Sequence, residues 1–130
     1  MSDYGLYSYF RSSTSVRVRA ALNLKGLEYD YIPLSLLKGE HMEDGHRALN
    51  PQGLVPTLVT QHGALPQSLA IVEWLDEEHP DPPLLPADAW GRARVRSLAH
   101  IVALDVHPVN NLRILKHLEQ EFGMDADGKA

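Results

Sequence analysis

Tyr9-Phe10-Arg11-Ser12-Ser13-Thr14-Ser15-Val16-Arg17-Val18-Arg19-Ala20-Ala21-Leu22 is the stretch on which the fold turns. The hydroxyl residues Ser12, Ser13, Thr14 and Ser15 stand where the apolar, aromatic segment Leu6-Tyr7-Ser8-Tyr9-Phe10 gives way to a helical pattern. Behind them Val16, Ala20 and Leu24 recur at helical spacing. Hydroxyls at a helix start satisfy backbone N–H groups that have no partner within the helix. The same end of the helix, through its dipole, favours an anion. The chain has no cysteine, so any thiolate held there arrives with a ligand.

Working outward, residues 5–10 read as a strand and 14–25 as a helix closed by Lys25-Gly26. Residues 29–34 form a second short strand, with Pro33 placing it at a sheet edge. Residues 35–50 are polar and mixed, with a short helix expected at 41–49, and Asn50-Pro51-Gln52-Gly53 signals a turn. A third strand at 55–60 has Pro56 at its mouth, Gln61-His62-Gly63 turns the chain, and 64–67 gives a fourth strand. Leu69, Val72 and Leu75 mark an amphipathic helix over 68–78. The order β-α-β-α-β-β-α predicts a sheet with helices on its faces, strands three and four forming an antiparallel hairpin.

Pro80, Pro82, Pro83 and Pro86 then stiffen a linker. From 90 to 122 the pattern is helical again, carried by Leu98, Ile101, Leu104, Leu112 and Leu115, with Pro108 expected to kink or divide it. Such a helix cannot bury its apolar stripe alone, so this second unit is expected to be incomplete or to need a partner. An exposed stripe around Leu98, Ile101, Leu112 and Leu115 predicts association.

With 130 residues, 44% of them hydrophobic and 22% charged, the chain suits one domain, or one small domain plus part of another, with a packed core. The net charge of −5 argues against nucleic acid or an anionic membrane as a partner. No apolar run is long enough to span a bilayer, and the start lacks the basic flank of a signal peptide. The absence of cysteine removes disulfides and thiolate metal sites and fits a cytoplasmic setting. His46, His62, His79, His100 and His117 have no metal-ligand spacing, so no metal site is expected. Arg92, Arg94 and Arg96 suit a solvated face.

Three segments in order, Ser12-Ser13-Thr14-Ser15-Val16-Arg17-Val18-Arg19, Asn50-Pro51-Gln52-Gly53-Leu54-Val55-Pro56-Thr57-Leu58 and Gln67-Ser68-Leu69-Ala70-Ile71-Val72-Glu73-Trp74-Leu75, resemble the zeta class of the glutathione transferases. Within that class the likeness is to the maleylacetoacetate and maleylpyruvate isomerases, and it covers nearly the whole chain. Thr14 stands where many of the class carry cysteine, which leans towards the bacterial maleylpyruvate type. The resemblance implies an α/β thioredoxin-like N-terminal domain, βαβαββα with a mixed four-stranded sheet, followed by the start of an all-α C-terminal domain. It divides the chain into a glutathione-binding domain at 1–80, a proline-rich linker at 81–89 and the first helices of a second domain at 90–130. Family members continue well beyond residue 130, so it also implies a C-terminally truncated chain lacking one wall of the substrate pocket.

The resemblance implies glutathione as cofactor, a small dicarboxylate substrate and a homodimer. Ser12, Ser13 and Thr14 would face the thiol, where a hydroxyl donor at a helix N-terminus favours thiolate over thiol. Val55-Pro56 would be a cis peptide that turns the Val55 backbone to pair with the peptide part of glutathione; the plain alternative is a proline opening a strand. Gln67 and Ser68 would hold the γ-glutamyl carboxylate at a helix start, with Ser68 as an ordinary N-cap the alternative. His41 is a further glutathione contact or a solvated loop histidine. Arg11 and Arg113 would clamp substrate carboxylates, arginine's fork donating two parallel bonds. His107, Asn111 and the neighbouring Asn110 would offer polar contacts beside Pro108. The implied chemistry is cis–trans isomerisation: the borrowed thiolate adds to the maleyl double bond, the resulting single bond rotates, and thiolate leaves. Conjugation of small electrophiles, or glutathione binding without turnover, are the other readings of the same scaffold.

Overall fold

The computed structural model describes residues 2–125 and 127–128. Helix α1 (Ser13–Leu24) begins at the hydroxyl run: Ser12 is its N-cap, and Ser12 Oγ accepts from the Ser15 N–H at 3.2 Å. Strand β1 (Gly5–Ser8) is shorter than its sequence pattern, because the Ser12 N–H donates to the Tyr9 carbonyl at 3.0 Å and turns the chain first. The other end of α1 closes at Lys25-Gly26 as the sequence predicts. Gly26 has φ 66°, which a side chain would resist, and the Leu27 N–H then reaches the Leu22 carbonyl at 3.0 Å.

Strand β2 (Asp30–Pro33) follows, then a 3₁₀ turn (Glu40–Met42), α2 (Asp44–Leu49), β3 (Thr57–Thr60), β4 (Gly63–Pro66) and α3 (Ser68–Glu78). The strands lie in the order β2-β1-β3-β4. β1 and β2 are parallel, joined across α1, whereas β3 runs antiparallel to both β1 and β4. Pro33 sits on the edge strand β2 opposite Ser8, where a missing N–H leaves no interior ladder bond open. This is the mixed four-stranded, thioredoxin-like sheet that the resemblance implies, with the β3–β4 hairpin that the sequence pattern predicts.

Alternation along the strands assigns the faces. Leu6 and Leu58 are register partners and fully buried; they join Val18, Ala21 and Leu22 of α1 and Ile71 and Leu75 of α3 in one cluster. Tyr7 and Thr57, partners on the opposite face, meet His46 of α2, whose ring lies 5.5 Å from that of Tyr7. The inward stripe of α1 is Ser15, Val18, Ala21 and Leu22. Val16 and Leu24 face outward, 46% and 64% exposed, and Ala20 is exposed with them. Both stripes have helical period, so periodicity alone does not choose between them. Packing against the sheet and α3 chooses.

Lys25 closes this unit. Its buried ammonium pairs with Asp76 and donates to the His79 and Pro82 carbonyls, both at 2.6 Å. Asp76 also accepts from the Leu84 N–H at 2.8 Å. A single cation thereby ties the end of α1 to the end of α3 and the proline-rich segment after it.

The chain divides into two compact units between Leu84 and Leu85. The second carries α4 (Ala89–His100), capped by Asp88 Oδ1 accepting from the Gly91 N–H at 2.7 Å. The helix widens to π turns at Ile101–Val106, tightens to a 3₁₀ turn at His107–Val109 and restarts as α5 (Leu112–Phe122). The expected break at Pro108 is present, and it is longer than one proline requires, because the backbone leaves the α pattern already at Ile101. No described residue of this unit is buried. No helix among the described residues is long and apolar enough to cross a membrane.

Candidate functional site

At the start of α1 the hydroxyls form a directed chain. Thr14 Oγ1 donates to the Val55 carbonyl at 3.0 Å, since a carbonyl only accepts. The one proton of Thr14 is thus engaged, so in the 2.8 Å contact between Ser12 Oγ and Thr14 Oγ1 it is Ser12 that donates. Ser12 is therefore both cap and relay. Ser13 is exposed at the first helical position. Arg11 is exposed on the preceding turn. Arg19 braces that turn from behind: its guanidinium donates to the Phe10 carbonyl at 3.1 Å and lies 5.9 Å from the centre of the Tyr31 ring.

The loop that presents Val55 is held by a buried polar network. The Val55–Pro56 peptide is cis. Asn50 Nδ2 donates to the Leu54 carbonyl at 2.9 Å and to Thr57 Oγ1 at 3.1 Å, while Asn50 Oδ1 accepts from the Gln52 N–H. His46 Nδ1 lies 2.9 Å from the His41 carbonyl, so Nδ1 donates there, and Nε2 lies 3.3 Å from Thr57 Oγ1. Gly53 has φ 61°, and a Cβ there would lie 2.6 Å from Met42 Sδ, so the 41–42 turn packs directly on the loop. His41 itself is half-buried and contributes its carbonyl to this brace.

At the start of α3, Gln67 is the N-cap, not Ser68. Gln67 has φ 72°, a left-handed value no other non-glycine described residue adopts, and makes no side-chain cap bond. Its Nε2 instead donates to Gln52 Oε1 at 2.8 Å. Ser68 is the first helical residue, and its Oγ accepts from Arg17 Nη1 at 2.7 Å. Burial holds the Arg17 guanidinium below its usual pKa. The first turn of α3 carries no acidic residue.

The three motifs, far apart in sequence, therefore close into a ring. Thr14 joins α1 to the Val55 loop, Arg17 joins α1 to α3, and Gln52 joins the loop to Gln67. Sequence reasoning missed Arg17 and Gln52 as members of this ring, and Arg19 as the brace of the turn before it. The signal for Arg17 was its place one helical turn after Thr14, on the same side of α1.

In the second unit, Asn111 is the N-cap of α5: its Oδ1 accepts from the Arg113 and Ile114 N–H groups at 3.0 and 3.3 Å. Its Nδ2 donates to the His107 and Pro108 carbonyls at 3.2 and 2.8 Å. Asn111 is thus tied to the His107 backbone. Arg113 is exposed in the first turn of α5, and Asn110 lies outside that helix. Among the described residues no group of three or more His, Asp or Glu could hold a metal ion.

This donor set fits glutathione. A tripeptide thiol with two carboxylates needs hydroxyl donors at a helix start, an accessible backbone edge and a cationic corner. The Arg17 guanidinium beside the α3 start is bonded to the neutral Ser68 hydroxyl and forms no ion pair with a carboxylate of the described residues.

Comparison with known proteins gives the same direction. The maleylpyruvate isomerase of Ralstonia sp. is 58% identical over 120 residues, which is 92% of this chain and 57% of that protein. The chain thus spans a little over half the length of that curated relative. A holo structure of a maleylpyruvate isomerase, a bacterial zeta-class glutathione S-transferase, superposes with TM-score 0.94 at 55% identity, covering 96% of this chain and 59% of the other. The maleylacetoacetate isomerase of Methylobacterium extorquens AM1, solved with malonate and glutathione bound, superposes with TM-score 0.93 at 41% identity over the same shares. Residues 6–83 match the family of the glutathione S-transferase N-terminal domain. By its sheet, its ring of motifs and this match, the chain belongs to the glutathione S-transferase family.

Proposed function

We propose that this chain is the glutathione-binding part of a zeta-class, glutathione-dependent isomerase that converts maleylpyruvate or maleylacetoacetate to the fumaryl isomer. The observation that carries the reading is the closed ring of Thr14–Val55, Arg17–Ser68 and Gln52–Gln67, which gathers a helix start, a loop carbonyl and a second helix start in one unit. Relatives named for this isomerisation support it, as does the relative solved with malonate, a small dicarboxylate, together with glutathione.

Glutathione, when bound, supplies the nucleophilic thiolate that a chain without cysteine lacks. The chain's own residues bind and orient. Ser12, Ser13 and Thr14 hold the sulfur, with one proton of the Ser12–Thr14 relay turning from the Val55 carbonyl towards it. The Val55-Pro56 backbone holds the peptide portion, Gln67 and Ser68 the γ-glutamyl carboxylate, and His41 and His107 offer polar contacts. Asn111 joins them only by giving up one of its capping bonds. Arg11 and Arg113 clamp the substrate's carboxylates, which favours an isomerase of dicarboxylates over a transferase for apolar electrophiles. The working protein is read as a cytoplasmic homodimer.

A full-length protein containing this chain, incubated with glutathione and maleylpyruvate, is expected to give fumarylpyruvate, followed by absorbance, with turnover abolished when glutathione is omitted. Conjugation of a neutral electrophile at a rate that dicarboxylates do not match would replace this reading with that of a general transferase. In binding experiments Thr14→Ala is expected to lower the fraction of bound glutathione present as thiolate; an unchanged thiolate absorbance in Thr14→Ala and Ser13→Ala would remove both from the sulfur site.

A further inference from the structure

We infer that Arg17 is a positioning residue of the carboxylate corner: it fixes the Ser68 hydroxyl as an outward donor and supplies that corner's positive charge. The inference rests on the glutathione reading and adds a residue to it.

A guanidinium has only donors, so in the 2.7 Å bond from Arg17 Nη1 the serine oxygen is the acceptor. A hydroxyl has one proton. With a lone pair engaged by Arg17, that proton points away from α1 and is left to donate. Polarisation by the cation makes it a stronger donor than a hydroxyl bonded to a neutral group. Ser68 is 6% exposed, so the geometry is held by packing as well as by the bond.

Everything around this corner selects for an anion. Gln67 provides no side-chain cap, so the first N–H groups of α3 are uncapped by its amide, and no acidic residue stands in the first turn. Lys25, a buried cation, is already paired with Asp76 at the other end of the helix. Arg17 is half-buried, where its field is less screened than at the surface. Burial also works against its charged form, a cost that a bound carboxylate offsets. A strut role between α1 and α3 is the bland account. The apolar contacts of Val18, Ala21 and Leu22 with Ile71 and Leu75 already perform it, and they need no charge.

The test is calorimetric titration of the chain and its Arg17→Ala, Arg17→Lys and Ser68→Ala variants with two probes. One is glutathione; the other is its analogue with the γ-glutamyl α-carboxylate converted to an amide. Arg17→Ala is expected to weaken glutathione binding about tenfold or more, the scale of a hydrogen bond to a charged group, while leaving the amide analogue's affinity within about twofold. Arg17→Lys is expected to recover part of the loss. Ser68→Ala placed on Arg17→Ala is expected to add little, because the two act as a unit. The ultraviolet thiolate absorbance of bound glutathione is expected to be unchanged in Arg17→Lys, since the corner is not the sulfur site. Equal weakening of both probes, or of neither, overturns the inference and leaves the glutathione reading standing. If Arg17→Ala does not fold, the same comparison of probes on Arg17→Lys decides. A wild-type chain that binds neither probe overturns the glutathione reading and this inference with it.

Discussion

Leu58 and Leu98 carry the same side chain and meet opposite surroundings. Leu58 is 0% exposed between the sheet and two helices, whereas Leu98 is 68% exposed on α4. The first unit has seven buried apolar residues in one cluster; the second has helices with good caps at Asp88 and Asn111 and no buried residue among those described. Caps and period make a helix, but an inside needs a second layer. α1 and α3 have that layer in the sheet. Leu98, Ile101, Val102 and Leu104 are each half or more exposed.

The strongest way to break this contrast is to truncate both leucines. Leu58→Ala is expected to cost about 2–5 kcal/mol of unfolding free energy, the transfer loss plus an unfilled cavity. Leu98→Ala is expected to change it by less than about 0.5 kcal/mol. The chain has two tryptophans, and each unit has one: Trp74 packs against the first unit's core, and Trp90 is 75% exposed in the second. Urea unfolding followed by Trp74 fluorescence, with Trp90 replaced by phenylalanine, measures both variants. Equal losses would mean that the second unit acquires a core, for instance by self-association.

A step down in size is the clamp that ends the first unit. Lys25→Met keeps the stem's volume and removes the charge, leaving Asp76 without its cation and the His79 and Pro82 carbonyls without a donor. Breaking a buried pair by one partner costs about 3–5 kcal/mol, and the Asp76 side chain, 11% exposed, keeps some water, so roughly 3 kcal/mol is expected. Hydrogen exchange is expected to speed most at Leu84, whose N–H bonds Asp76, and little in α4. Acceleration in α4 as large as at Leu84 would show the two units to be one cooperative body.

What the sequence made legible follows the same division between local and distant. The Ser12 cap, the Gly26 stop and the edge position of Pro33 each depend on a few neighbouring residues, and all were readable. The inward face of α1 was not: Val16 and Val18 are equivalent in type, and only contact with Leu58 and Ile71 separates them. Ser68 reads as an N-cap by residue type, yet the left-handed backbone of Gln67 moves the cap one residue earlier and frees Ser68 for Arg17. That bond spans 51 positions, and no local pattern encodes it. Motif resemblance located the site's outline because the three motifs travel together. It left out the side chains, Arg17 and Gln52, that hold the motifs to one another.

The smallest effect concerns the other contact at the Lys25 end. The Tyr4 hydroxyl lies 2.7 Å from His79 Nε2, and its ring meets Trp74 edge-on at 6.1 Å. Burial, and then the negative charges of Glu78 and Asp3, raise the Tyr4 pKa above its ordinary value. The fold therefore favours the neutral phenol. Stability from this group is fully present below about pH 10, the unfolded value, and is lost as the pH rises from there through the folded pKa, because the unfolded chain gives up the proton first. Tyr4→Phe removes the hydrogen bond, costing about 1 kcal/mol or less at neutral pH, and removes this alkaline loss as well. Unfolding curves of the two forms should converge as the pH climbs past 10, and Trp74 fluorescence is placed to record it. Parallel curves would mean that the phenol titrates alike in both states, and that the contact with His79 holds the first strand to α3 by shape alone.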